Sequence, residues 1–326
     1  MKVSILIPVY NSEKYIAETL ENALAQTWAD KEIIVIDDGS TDNSLKIAQS
    51  YECDILKVYS QPNKGASAAR NYAFAQATGE YIQYLDADDL MSADKIEKQL
   101  GFISQFSDYK KVLVYSPIEI FENDITNLVL PNTTIRDKSY DSPLELLNDF
   151  FLTLAAIIPH AYLVHRSLIE KSGGWNESLS TNDDGEFFSR VIALSSCVKY
   201  VPDTTVYYRN TPNSLSKLRS QKHYESQLLS LMYTTTLMLQ KNSSETTKKA
   251  CVNIFGCYIN GWFPGNKPFL KKLEKHLQDN NLQYYDMFYK NAIYIYVSKL
   301  LGWRKTLLLR KYCVKYIKKI KLKNKI

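Results

Sequence analysis

Three carboxylates fall within four positions at Asp86-Ala87-Asp88-Asp89, directly after the short run Tyr81-Ile82-Gln83-Tyr84-Leu85. Acids crowded in this way repel one another, and an opposite charge relieves them. A hard divalent cation such as Mg2+ or Mn2+ suits the task, because it takes oxygen ligands and Mg2+ commonly uses one or two carboxylates together with substrate phosphates. The competing reading is a solvated acidic turn that caps the following helix. A second acidic pair, Asp37-Asp38, closes the run Glu32-Ile33-Ile34-Val35-Ile36, and Asn11 follows a first run, Val3 to Ile7, that ends at Pro8. Asp37 could also serve only to offset the dipole of the next helix. Lys64 and Arg70 are the nearest basic side chains able to meet phosphates. No G-x-G-x-x-G follows the first run and no G-x-x-x-x-G-K-[ST] occurs anywhere, which argues against a dinucleotide site and a P-loop.

These polar groups need elements that bring them together. Val3 to Ile7 and Glu32 to Ile36 are near-continuous apolar runs, as buried parallel strands require. Between them, Asn11-Ser12 opens a helix whose apolar stripe is Tyr15, Ile16, Thr19, Leu20, Ala23 and Leu24. Thr41 or Asp42 starts a second helix running to about Ser50, a third strand lies near Asp54 to Val58, and Gly65 opens a small-residue helix, Ala66 to Ala77. Strand and helix alternate, which means βαβ units, a mostly parallel sheet and right-handed crossovers. In such open sheets ligands bind beyond the carboxyl ends of the strands, where Asn11, Asp37, Asp38, Asp86 and Asp88 all fall.

A chain of 326 residues with 45% apolar and 23% charged residues has the make-up of a globular protein of one large domain or two ordinary ones. Five cysteines, an odd number without C-x-x-C spacing, fit free thiols in a reducing compartment. The N-terminal apolar run is too short for a signal peptide and no stretch reaches the ~20 apolar residues of a membrane span, so a cytoplasmic, non-spanning protein is expected. The net charge of +5 conceals an asymmetry: residues 302–326 hold ten Lys or Arg and no acid, so the rest of the chain carries −5.

The segments Ile7-Pro8-Val9-Tyr10-Asn11, Asp37-Asp38-Gly39-Ser40-Thr41-Asp42, Asn63-Lys64-Gly65 through Ala69-Arg70-Asn71, and Gly79-Glu80-Tyr81-Ile82 with Asp86-Ala87-Asp88-Asp89 resemble family 2 glycosyltransferases of the GT-A fold. The likeness is strong over residues 1–110 and moderate over 150–220. It implies an α/β, Rossmann-like GT-A sheet flanked by helices, with Pro8, Tyr10 and Asp38 around a nucleotide base. Asp86-Ala87-Asp88 would be the DxD motif, with Asp88 on an Mn2+ or Mg2+ ion and Asp86 against the ribose or the ion's water shell. Lys64 and Arg70 would lie on the donor side, Arg70 supporting the acidic loop or the pyrophosphate. Further on, Gly173-Gly174-Trp175-Asn176-Glu177 and Asn182-Asp183-Asp184-Gly185-Glu186 resemble the family's acceptor-side segment, which implies Asp184 as the base of an inverting transfer. Asp183 is the alternative base, because this sequence has Asp-Asp where Glu-Asp is commoner and Gly185 where a large residue is usual. Both could instead merely cap the helix that follows. Arg209 and Lys217, around a loop that closes over the donor in the family, could meet the diphosphate.

The same resemblance implies an enzyme that moves one sugar from a nucleotide-diphosphate donor, with UDP foremost, to a glycan or lipid-linked acceptor in cell-surface polysaccharide synthesis; without a Gln-x-x-Arg-Trp motif or spanning helices, it is expected to be non-processive. A nucleotidyltransferase making a nucleotide-sugar and an inactive partner in glycan assembly are the alternatives. The expected division is 1–110 for the donor half, 111–220 for the acceptor half, and 221–326 for a helical C-terminal region. Basic and aromatic residues alternate with apolar ones through 302–326, as in a helix lying on an anionic membrane surface. That places the protein at the inner face of the cell membrane, with no nucleic-acid partner. His160 and His165 flank a strand at Ala161 to Val164 and point to opposite faces, which makes them poor partners for one metal; structural roles are expected. Ser167 is expected to cap the short helix after that strand, and His276 to lie at the surface.

Overall fold

The structure, a computed structural model, describes residues 1–122, 124–128, 137–211, 220–262 and 267–282, with 305, 308 and 309. Lys217 and nearly all of the basic segment 302–326 lie outside the described residues. Two compact units divide the chain, Met1–Lys241 and Asn242–Ile326.

The first unit is built on a seven-stranded sheet. Its strands are β1 (Val3–Val9), β2 (Lys31–Asp37), β3 (Leu56–Ser60), β4 (Tyr81–Tyr84), β6 (Val112–Tyr115), β8 (Tyr162–His165) and β9 (Cys197–Tyr200), in the order β3-β2-β1-β4-β8-β6-β9. Strands β3, β2, β1 and β4 run parallel, as the apolar runs predict, and β1 is buried along almost its whole length. The reversal comes at β8, which lies antiparallel to both β4 and β6. A second sheet of β5 (Leu90–Met91), β10 (Val206–Arg209) and β7 (Ile118–Phe121) stands at the end of the acidic stretch, with β10 in the middle.

Helices α1 (Ile16–Leu24), α2 (Ser44–Ser50), α3 (Ala66–Gln76), α4 (Lys95–Ile103), α5 (Pro143–Thr153), α6 (Arg166–Ser172), α7 (Asp183–Leu194) and α8 (Gln221–Lys241) complete this unit. Helix α1 buries Ile16, Thr19, Leu20 and Ala23, four of the six residues of the predicted stripe, while Tyr15 and Leu24 at its ends are partly exposed. It begins later than Asn11-Ser12 suggested, because Asn11 sits at φ 49°, outside the helical region, and the first turn is closed onto the Ser12 carbonyl. Gly173 and Gly174, at φ 84° and 75°, end α6 in the left-handed region as expected. The start of α6 differs from expectation: the His165 ring, not Ser167, accepts the capping hydrogen bond, from the Ser167 N–H.

The first unit extends past the expected boundary at residue 220 because α8 holds the loop before α7. Ser226 Oγ accepts from the N–H groups of Ser180 and Thr181 (2.8 and 3.0 Å), and Ser230 Oγ donates to the Asn182 carbonyl (2.6 Å) while accepting from its amide (2.7 Å). Ser230→Ala should therefore lower stability by about 1–2 kcal/mol, read as a fall of several degrees in Tm; an unchanged Tm would show that the clasp is idle.

The second unit contains α9 (Glu245–Trp262) and α10 (Lys267–Asp279). His276 of α10 is buried and stands edge-on to Phe255 at 5.4 Å, contrary to its expected surface position, because its face of the amphipathic helix is the one packed on α9. Among the described residues no helix is long and apolar enough to cross a membrane.

Candidate functional site

The ends of β1 and β2 form one side of the site. Asp38, 3% exposed, accepts from Gln61 Nε2 (2.7 Å) and the Lys64 N–H (2.8 Å) at one carboxylate oxygen and from the Gly65 N–H (2.8 Å) at the other. It thus folds residues 61–65 against the sheet edge. A carboxylate accepts about four hydrogen bonds, so one position remains at Oδ2 for a further donor. Asp37 accepts from the N–H groups of Gly39 and Ser40 at 3.2 and 3.1 Å, closing its own turn. Gly39 there has φ 70°, and a Cβ would lie 2.8 Å from the Asn63 nitrogen, so only glycine lets the two loops meet. Asn11 Oδ1 accepts from the Thr41 N–H at 2.8 Å, tying the loop after β1 to the loop after β2. Pro8 lies partly exposed at the end of β1, Tyr10 is half-exposed, and the Lys64 side chain faces solvent.

Arg70 projects from α3 into the centre. Its Nη2 donates to Asp86 (2.8 Å) and its Nη1 to Asp183 (3.1 Å), and its guanidinium lies 4.4 Å over the Trp175 ring. Trp175 in turn stacks on Phe187 of α7 at 4.2 Å, and Tyr84 of β4 meets both edge-on. Two acidic segments nearly a hundred residues apart are joined by one buried cation on an aromatic support. Burial opposes ionisation of Asp86; even so, Arg70 above all, and then His160, holds its carboxyl below the ordinary value. The two carboxylates raise Arg70 in return.

The Asp183–Asp184 pair is divided by these contacts. Asp183 Oδ2 is taken by Arg70 and by Ser67 Oγ (2.8 Å). Asp184, half-buried, accepts only the N–H of Gly185 (2.8 Å) among the described residues, and its carboxyl is pushed up to about 6 by burial first and by Asp183 next. Asn182, not either aspartate, is the residue before the first turn of α7. What this leaves is one committed carboxylate and one poised near neutrality.

Asp88 is partly exposed, and its carboxyl is pushed up to about 6 by burial and by Asp86. Beneath it, Asp89 and His160 are fully buried, with His160 Nδ1 3.3 Å from Asp89 Oδ2 but neither atom in an aligned hydrogen bond. Burial pushes His160 down to about 4 and raises Asp89 well above its usual range, Asp88 and Asp86 adding to the latter. Asp86, Asp89 and His160 each offer one ligand atom, all within 4.8 Å of one another. Unpaired carboxylate and imidazole atoms in such a group fit a divalent cation. Asp86 is common to this set and to the expected Asp86–Asp88 pair; Asp89 and His160 were not anticipated as ligands. His160 precedes β8 in a 3-10 turn, Pro159–Ala161, so the strand alternation used to set it on the face opposite His165 does not apply. The turn is fixed from below: Gln83 Nε2 donates to the His160 carbonyl (2.9 Å), Gln99 Nε2 to that of Ala161 (3.1 Å), and the fully buried Lys95 ammonium to that of Tyr162 (3.4 Å).

Arg209 is packed into the first unit at the end of β10. It is 3% exposed and its guanidinium is engaged by Glu18 (2.5 Å), the Asp88 carbonyl (2.7 Å) and the faces of Tyr15 and Phe121.

Comparison with known proteins agrees with this geometry. Residues 4–172 match the model of Glycosyl transferase family 2. An uncharacterized glycosyltransferase of Rickettsia typhi is 34% identical over 194 residues, 60% of this chain and 59% of that protein. TuaG of Bacillus subtilis, a putative teichuronic acid biosynthesis glycosyltransferase, is 43% identical over 108 residues, 32% of this chain and 43% of that one. Thus the matches span less than two thirds of either relative. Among solved structures, S. aureus TarS 1–349 in complex with UDP-GlcNAc has a TM-score of 0.71 at 18% identity, covering 96% of this chain and 92% of that chain, a likeness of GT-A-type fold.

Proposed function

The chain belongs to glycosyl transferase family 2, and from that footing we propose that it is an inverting, metal-dependent, non-processive glycosyltransferase using a nucleotide-diphosphate sugar. The observation that carries this reading is Arg70, which brings the donor-side Asp86 and the acceptor-side Asp183 to one guanidinium while leaving Asp184 uncommitted.

In this reading Pro8, Tyr10 and Asp38 surround the base, with the remaining acceptor position of Asp38 meeting a ring N–H. UDP is the favoured nucleotide, supported by the TarS fold, which has been solved with UDP and with UDP-GlcNAc. Asp86 would hold the Mn2+ or Mg2+ ion, together with Asp88 or with Asp89 and His160. Bound there, such an ion offsets the negative charge that the diphosphate gains as it departs. Lys64 supplies further positive charge at the donor edge. Asp184 takes the acceptor hydroxyl's proton as that oxygen attacks the anomeric carbon; the new C–O bond forms as the bond to the diphosphate breaks, so configuration inverts. A carboxyl near 6 is more basic than an ordinary aspartate yet still ionised at neutral pH.

The acceptor is a glycan or lipid-linked saccharide in cell-surface polysaccharide synthesis, a class supported by the name of TuaG. The ten basic residues of 302–326 support contact with the anionic inner face of the membrane. Calorimetric titration of UDP with and without Mn2+ tests the donor side. Binding should require the ion and be lost in Asp88→Ala; binding indifferent to both would overturn the metal-dependent reading.

A further inference from the structure

We propose that Thr19 and Arg209 are positioning residues that lock the acidic loop, fixing where Asp86 and Asp88 present their carboxylates; this rests on the reading of those carboxylates as the donor-side ion site. Four successive carbonyls of the loop are occupied. The Asp86 carbonyl accepts from the Asp89 N–H at 3.1 Å. Those of Ala87 and Asp89 share the Thr19 hydroxyl at 3.0 and 3.2 Å, and that of Asp88 accepts from Arg209 Nε at 2.7 Å. The Asp89 carboxylate returns the hold by accepting the Arg209 N–H at 2.7 Å.

Thr19 is completely buried on α1, next to Glu18, which clamps the far end of the Arg209 guanidinium. One side of the lock thus comes from α1 and the other from the end of β10, while β5, directly after the loop, pairs with β10 at Leu90 and Met91. Ala87 and Asp89 are buried and only Asp86 and Asp88 keep partial exposure. An unpinned four-residue loop bearing three acids would spread them apart by rotating its peptide planes. With each carbonyl held, the planes are fixed and so are the Cα–Cβ directions of the two outward carboxylates. Displacement of a reacting group by about 1 Å can cost on the order of 100-fold in rate, so such fixation is worth a buried arginine.

Thr19→Val keeps the side-chain shape and removes the hydroxyl, whereas Thr19→Ser keeps the hydroxyl. Hydrogen–deuterium exchange of the full chain without ligand, and titration of Mn2+ at saturating UDP, give two independent readouts. In Thr19→Val, exchange of the amides of residues 86–91 should rise about tenfold while β1 and β2 stay protected. The apparent Mn2+ affinity should weaken about tenfold, and Thr19→Ser should restore both. Arg209→Lys, which keeps the charge but loses the Nε donor, should show the same pair of changes and serves if Thr19→Val does not fold. Wild-type exchange in 86–91 would overturn the lock. Faster exchange with unchanged Mn2+ affinity would overturn its positioning role and leave only a structural one. Should wild-type UDP binding prove independent of Mn2+, the ion reading fails, and the lock is then judged by exchange and by UDP affinity.

Discussion

Asp184→Asn should slow sugar transfer by about 100- to 10,000-fold while UDP binding changes by no more than about twofold. The asparagine is nearly isosteric and can still meet the Gly185 N–H through its carbonyl oxygen, so the first turn of α7 should survive. It cannot take a proton. Asp183→Asn should act differently. It weakens the bridge from Arg70 and Ser67, and so should cost stability and donor-side order before it costs proton transfer. If Asp183→Asn instead abolishes turnover with binding intact and Asp184→Asn does not, the base is one residue earlier. The wild-type pH profile gives an independent check. The base works only when ionised, and its carboxyl is raised to about 6. Transfer should therefore be level above that pH and fall about tenfold per pH unit below it.

Arg70→Met should be the most damaging single change to the bridge between Asp86 and Asp183. It strands two carboxylates on a partly buried aromatic platform, and breaking such a pair costs about 3 kcal/mol or more. Because the Asp86 carboxyl is lowered in the folded protein, its pairing stabilises fully above the ordinary aspartate range of about 4 and is lost as the pH falls through the lowered value. The variant should lack that part of the acid-induced loss of stability. Its acid limb of activity should also move to higher pH, since Arg70 is one of the groups that restrains the rise at Asp184. Arg70→Lys should recover little, because a single ammonium cannot reach both carboxylates in the forked geometry of a guanidinium. Thermal unfolding across pH, with the pH–rate profile, measures both effects; a wild-type acid limb in Arg70→Met would refute the coupling.

The parallel half of the sheet could be read from sequence because its signals are local. Apolar runs of strand length, glycines at turns and acids at strand ends place Asp38, Asp86 and Asp88 on one edge without knowledge of any distant contact. The acid pair at Asp183-Asp184 was legible as a unit, but its division was not, since Ser67 and Arg70 lie more than a hundred residues away. Neither Asp89 nor His160 was expected at a metal site, because their proximity too depends on a distant contact. A buried aspartate beside an exposed one looks identical in sequence, and His160 appeared to belong to a strand although it sits in the turn before it. The antiparallel β8 was equally hidden, because a four-residue apolar strand does not record its direction. Arg209 illustrates the converse limit of sequence. A basic residue near a substrate loop suggests phosphate contact, yet burial between Tyr15 and Phe121 has turned it into part of the scaffold.

The clasp between α8 and the loop at Ser180 to Asn182 bears on how the chain could be recombined with others. The family-matched segment ends at residue 172, ahead of Asp184, and on the proposed reading a chimera joined there would lack the residue assigned as its base. A junction at 220 would include Asp184 but discard Ser226 and Ser230, leaving the graft's acceptor loop unheld. The compact unit that keeps this clasp ends at Lys241, the last residue of α8, so on the proposed reading acceptor-swapping experiments should place their seam immediately after it.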